Sequence, residues 1–283
     1  MIRTRTLASV GGSLLAVTIA NPVVAQSSTE PGFTTGIPLY TTKLPTGLYL
    51  DLVPDVSIRE TDSTGTHFNA IAPFLTLQTP WRVANAKILF VASPVLANFR
   101  IKGVTNVTAF YNTYVGTQAN WDLGHDWGLG VRVAGWIPQG GPIAARYGTI
   151  APRIGVTYYT SKEHFTASFE RGYPIGDRGR ATAPNYVNLD LTYTRTKNKF
   201  EYGVVSFLSS DTNRPILSPA KNAQAAIGPL IGYTFGKVQV QAKFTSDVYD
   251  RNYGGPERRF EFNIYVPLWT PRNSNANRLP EAP

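Results

Sequence analysis

The sequence predicts an all-β protein: an antiparallel transmembrane β-barrel of about twelve strands, the kind of even count that bacterial single-chain barrels use. Three observations predict it. The composition suits strands, with 16% charged residues, 12% aromatics, 15 Tyr, 25 Gly, 21 Pro and one Met, whereas helical proteins draw on Ala, Leu, Glu, Lys and Met. Long segments alternate strictly between apolar and polar side chains. The connections between these segments alternate between long and short.

The first element is a leader. Arg3 and Arg5 precede an apolar run from Leu7 to Ile19, and Val23-Val24-Ala25 precedes a polar stretch, the three regions of a secretory signal peptide cleaved after Ala25. The run falls short of the ~20 apolar residues that a spanning helix needs. The segment "ILFVASPVLANF", Ile88 to Phe99, is also too short, and Ser93 and Pro94 interrupt it. There is no Cys, so no disulfide holds the exported fold together. Residues 26–46 follow as an irregular arm rich in Ser, Thr, Gly and Pro.

Strands begin at Gly47. "GLYLDLVPDVSIRE" sets Leu48, Leu50, Leu52, Val56 and Ile58 against Tyr49, Asp51, Asp55, Ser57 and Arg59, because successive side chains alternate sides. "NYVNLDLTYT" sets Val187, Leu189 and Leu191 against Tyr186, Asn188, Asp190 and Thr192. "VQVQAKFTSDV" and "RFEFNIYVPLW" repeat the pattern, with Lys243 and Arg259 on their polar faces. Weaker alternations begin near Phe68, Ala86, Val107, Trp127, Ile150, Phe165, Phe200 and Ala226. The longer connections ("DSTGTH", "KGVTN", "PQGGPIAARYGT", "YPIGDRGRATAP", "SSDTNRPILSPAKN", "DRNYGGPE") alternate with tight ones such as "LGHD", "TSKEH", "RTKNK" and "FGK". Outer-membrane barrels show this parity, with long extracellular loops and short periplasmic turns. A soluble β-sandwich shares the alternation but has no reason to sort its loops. Aromatics flank the short turns, among them Trp121, Trp127, Phe165, Phe200 and Phe235, and Trp269 ends the last strand. Together they suit a girdle at the membrane interface. The barrel therefore spans residues 47–269, and residues 270–283 form a tail.

Catalytic readings are weak. His125 lies with Asp122 and Asp126 in a tight turn, where side chains point into water rather than converge on a metal or a proton. His164 and Ser168 share a strand face but sit ~13 Å apart, too far for a nucleophile and its base. "NVT" from Asn106 is only a three-residue sequon, and "GDRGR" and "GLG" lack the strand-to-helix context of a phosphate loop. The sequence predicts no enzyme, no metal and no cofactor.

Charge points to the lumen and the loops. Loss of Arg3 and Arg5 with the leader leaves 25 of the 27 basic residues against 18 acidic ones. The polar faces carry Arg59, Lys87, Arg132, Arg153, Lys243 and Arg259 against Asp51, Asp55, Asp122, Glu170, Asp190, Glu201, Asp247 and Glu261, so the excess lies in loops, at Arg146, Arg178, Arg180, Arg214 and Lys221. Basic loops suit outer-membrane lipid and lipopolysaccharide as neighbours, not nucleic acid. Folding the middle strands as hairpins places Arg132 diagonally near Arg153 and Arg153 across from Glu170. With Trp136 they form either a constriction that orients a polar or anionic group, or a neutralised ladder that stiffens the wall. Arg59, Arg132, Trp136, Arg153, Glu170, Tyr186, Asp190 and Lys243 are the candidate pore-lining or substrate-binding residues. A twelve-strand barrel is wider than wall side chains can fill, so the arm is also a candidate plug.

The segments "GLYL" (Gly47 to Leu50), "LFVASPVLANF" (Leu89 to Phe99), "WDLGHDWGLGVRVAGWIPQG" (Trp121 to Gly140) and "APRIGVTYY" (Ala151 to Tyr159) resemble the phenol meta-pathway (MetA-pathway of phenol degradation) family of outer-membrane transporters. The resemblance runs from about Gly47 to Trp269. It implies a barrel that passes small hydrophobic or aromatic molecules passively across the outer membrane, and it brings no catalytic residues. One departure is the tail "TPRNSNANRLPEAP" after Trp269, since such barrels commonly end on an aromatic. The other reading of the fold is a structural or adhesive barrel that acts through its basic extracellular loops.

Overall fold

The computed structural model describes residues 30–59, 66–176, 183–214, 220–253 and 255–271; the leader, nearly all of the tail, and Arg178 and Arg180 lie outside them. Fourteen strand segments follow in order: β1 Gly47–Arg59, β2 Thr66–Val83, β3 Ala86–Ser93, β4 Leu96–Ile101, β5 Thr105–Phe110, β6 Thr113–Gly124, β7 Trp127–Ile137, β8 Thr149–Tyr159, β9 Glu163–Pro174, β10 Tyr186–Lys197, β11 Phe200–Asp211, β12 Ala223–Phe235, β13 Val238–Arg251 and β14 Glu257–Trp269. All described pairings are antiparallel between neighbours, and β1 pairs with both β2 and β14, which closes the sheet.

The wall has twelve strand positions, as the alternation predicts. The 18-residue β2 pairs with β4 over Thr66–Ile71 and with β3 over Leu75–Val83, so β3 and β4 are one position broken at Pro94. The next position is broken in step at Tyr111-Asn112, with β5 on β4 and β6 on β3. Tyr111 N–H reaches Val95 O at 2.8 Å across the two breaks. Other prolines leave marks too. Residue pairing between β1 and β14 lapses at Val53-Pro54, and pairing between β12 and β13 lapses at Gly228-Pro229, because proline has no N–H to give a ladder.

Burial follows the period of two. In β1 the odd-numbered residues from Gly47 to Arg59 are buried, while Val56 and Ile58 are exposed. Outside the wall, Ile154, Phe169, Leu208, Ile231 and Phe262 are exposed; inside it Arg132, Arg153, Glu170, Asp190 and Lys243 are buried. An apolar exterior around a polar interior is the pattern of a barrel that meets hydrocarbon. The backbone argument agrees, because an open sheet edge in lipid would leave its N–H and C=O groups unsatisfied.

At one end of the barrel the strands join through short turns. His125 and Asp126 both have positive φ, 51° and 68°, the backbone of a two-residue hairpin turn. Trp127, Phe200, Phe235 and Trp269 are exposed around this end, as the girdle requires. The other end carries most of the longer connections. The expected loop "KGVTN" is a difference: it shrinks to a turn at 102–104, closed by Val104 N–H on Ile101 O at 3.0 Å with Gly103 at φ 76°.

Candidate functional site: an occupied and two-sided lumen

The described part of the arm, residues 30–46, lies inside the barrel. Its last part sits at the turn end, where Lys43 pairs with Asp126 and donates to Tyr159 O at 2.7 Å. Lys87 Nζ donates to Leu44 O. Asn120 Nδ2 donates to Thr41 O at 3.1 Å, and Gln118 Nε2 donates to Leu39 O at 2.7 Å. Further in, the Tyr40 hydroxyl meets Ser168 Oγ at 2.6 Å and Lys243 Nζ donates to Thr35 O at 2.9 Å. Asp190 accepts from Gly32 N–H and Thr34 Oγ1, and Arg259 reaches Glu30 at 3.0 Å. A segment without regular structure can be buried only where other groups satisfy its backbone, and here the wall's polar face does so.

Glycines make the seat. A Cβ at Gly130 would lie 2.1 Å from the Tyr40 ring, and one at Gly155 would lie 2.3 Å from it. A Cβ at Gly128 would lie 2.0 Å from Tyr40 O. The "GLG" motif is thus the floor under an aromatic side chain, a use of glycine for close approach.

The inner wall has two halves. From β8 to β14 it is mostly polar and ion-paired, with Val205, Phe207 and Leu230 as apolar members on β11 and β12. Arg153 holds Glu170 through Nε at 3.0 Å and Nη2 at 2.5 Å and donates to Thr34 Oγ1 at 2.7 Å; Asp190 lies 3.7 Å away. Lys243 pairs with Glu261. From β2 to β7 the inner wall is largely apolar toward the loop end. Ala72, Val91, Val95, Ala97, Ala134 and Trp136 form one buried cluster with Val53 of β1 and Phe33 of the arm. A chain of rings runs through it: Phe33 to Phe74 at 5.1 Å, Phe74 to Tyr114 at 5.9 Å, Tyr114 to Trp136 at 5.1 Å, and Trp136 to Tyr111 at 5.6 Å. Such edge and tilted contacts are favourable aromatic geometry.

The candidate residues fall into four places. Arg153, Glu170, Tyr186 and Asp190 come together, with the Tyr186 hydroxyl 3.4 Å from Glu170 Oε1. Arg59 belongs to a separate group near the loop end, with Glu257 at 2.9 Å and Asp250 at 3.7 Å. Lys243 sits under Thr35. Arg132 pairs directly with Arg153 in the β7–β8 register, not diagonally. A joint constriction of Arg132, Arg153 and Trp136 does not form, because Trp136 lies four residues further along β7, about 13 Å at strand rise, inside the aromatic cluster.

Sequence reasoning missed Phe33, Tyr40, Phe74, Tyr111 and Tyr114. The available signal was an arm carrying two aromatics ahead of a lumen predicted to be too wide for its own side chains. Between arm and wall remains a cavity of about 70 Å³, lined by Phe33, Ile37, Leu39, Leu44, Phe74, Leu89 and Val91 among others, together with Asp51, Gln78, Gln118 and Arg132.

The sequence model of a family described as MetA-pathway of phenol degradation matches residues 56–260. Among solved structures, the COG4313 outer membrane channel from Pseudomonas putida F1 superposes with a TM-score of 0.64 at 12% identity, covering 84% of this chain and 99% of that one. The CymD monoaromatic hydrocarbon channel superposes with a TM-score of 0.50 at 7% identity, covering 79% and 88%. No curated protein sequence matches the chain.

Proposed function

Starting from the fact that the chain belongs to the MetA-pathway of phenol degradation family, we propose that it is a passive outer-membrane channel for small hydrophobic or aromatic compounds. The observation that carries this reading is the run of rings and aliphatic side chains on the inner face between β2 and β7. Porin lumens are polar because their solutes are; an apolar inner half stabilises apolar solutes instead. The name of the CymD monoaromatic hydrocarbon channel is consistent with this substrate class.

In this reading the protein performs no covalent chemistry and uses no cofactor. The leader, residues 1–25, is removed on export. The arm plugs the lumen at rest and moves to let solute pass. The loop end faces outward, and basic residues such as Arg146 and Lys221 lie beside lipopolysaccharide phosphates. The charged residues of β8 to β14 anchor the plug and stiffen the wall.

The test compares uptake of labelled toluene by cells with and without the protein, with a sugar of similar size as a control. Faster toluene uptake with unchanged sugar uptake is the expected result. Equal rates for both solutes in both strains would overturn the channel reading.

A further inference from the structure

The cavity between arm and wall carries two polar groups that the fold does not use up. Gln78, Leu89, Gln118, Arg132, Arg153 and Glu170 are successive partners across β2, β3, β6, β7, β8 and β9, one continuous row around the lumen. Arg153 spends its charge on Glu170. Arg59, Lys243 and Arg259 also hold carboxylates. Arg132, buried and lining the cavity, holds none among the described residues; its Nε donates to Gln118 Oε1 at 2.5 Å. At the other end of the row Gln78 is 4% exposed, and its Oε1 is buried without a hydrogen-bond partner. Asp51, the remaining charged group of the lining, accepts from Asn263 Nδ2 at 3.1 Å.

A buried guanidinium without a carboxylate favours an anion, best a planar one that its fork can grip. A buried carbonyl oxygen without a donor leaves a desolvation cost that an O–H from a ligand would remove. The rest of the lining is mostly aliphatic and aromatic, with Thr34, Thr76, Asp51 and Gln118 as its other polar members. Three strand spacings of about 4.8 Å separate the two backbones along the wall, and both side chains line the cavity. We infer that the cavity is a binding station for hydroxylated aromatic carboxylates, with the carboxylate on Arg132 and the hydroxyl donating to Gln78.

This station deepens the channel reading and rests on it: such molecules are the polar members of the aromatic class, and a lumen with only apolar walls would reject their charge. The volume requires a shift of the lining. About 70 Å³ is roughly half of the 150 Å³ of a cavity that takes benzene, so the ring is admitted as Phe33, Ile37 and Leu39 of the arm shift. Occupancy of the station and displacement of the plug are then one event.

The test is equilibrium binding of 4-hydroxybenzoate, benzoate and 4-methylphenol to the detergent-folded full-length protein. Wild type should bind 4-hydroxybenzoate most tightly. R132Q should weaken both carboxylates roughly tenfold, or 1.4 kcal/mol, relative to 4-methylphenol. Q78L, which keeps the cation, should weaken the two hydroxylated probes relative to benzoate. Uniform loss across the three probes in both variants, or no change in either, would overturn the inference. If R132Q fails to fold, judged by loss of its heat-dependent gel shift, Q78L alone decides. Wild-type cells that take up toluene while the purified protein prefers no carboxylate would sink the station and leave the channel standing. Binding without uptake would do the reverse.

Discussion

Asp190 on β10 accepts the backbone N–H of Gly32 at 2.8 Å, a contact across 158 positions of sequence. Its second oxygen takes Thr34 Oγ1 at 2.5 Å, so one wall carboxylate holds two points of the arm. Asp190→Ala should loosen the leading part of the arm by about 1–3 kcal/mol. Hydrogen exchange reads this directly: the amides of Gly32 and Gly36 should exchange about 10- to 100-fold faster, while the β10 amides keep their protection. Unchanged exchange at Gly32 would mean that Lys243 and Arg259 hold the arm without it.

Gly130 tests the seat from below. Its missing Cβ leaves room for the Tyr40 ring, which would otherwise stand 2.1 Å away, so Gly130→Leu should expel Tyr40 and the residues around it. Protease added from the turn side should then cut within residues 30–46 of the folded barrel but spare the wild type. Tyr40→Ala on top of Gly130→Leu should relieve the clash and restore resistance. Equal resistance in all three proteins would show that the arm is held elsewhere.

The Arg153–Glu170 pair is only 2% and 1% exposed at its side chains. Breaking a buried pair from one side costs about 3–5 kcal/mol, and Asp190, 3.7 Å from Arg153, keeps part of that charge compensated, so the low end of this range is expected. Glu170→Gln should therefore lower the urea midpoint of the refolded barrel, whereas Arg153→Met combined with Glu170→Met should recover most of the loss. A single-variant cost below about 1 kcal/mol, the range of solvated pairs, would mean that water reaches the pair.

What the sequence showed and hid follows from the physics of each feature. Strand faces were legible because a wall between lipid and lumen imposes a period of two on every residue, and the count of twelve followed from it. The paired breaks at Pro94 and at Tyr111-Asn112 were not, since each reads locally as a strand end, and only β2, running past both partners, shows them to be one interrupted wall. The Arg153–Glu170 pair between β8 and β9 was readable from hairpin register. The arm was readable only as a candidate plug, from the width of a twelve-strand barrel; its individual contacts were not, because they reach up to 228 positions away and leave no local pattern. The use of the β7 glycines was hidden for the same reason: the ring they accommodate belongs to a segment 90 residues earlier.

In the proposed function this barrel is an aromatic channel closed at rest by its own arm. The most direct measurement is uptake of a labelled aromatic into proteoliposomes by the full mature chain and by a form lacking residues 31–45. The account predicts faster uptake through the shortened protein and loss of its discrimination against sugars. Equal rates and equal selectivity, from two proteins that both show the gel shift of a folded barrel, would contradict it.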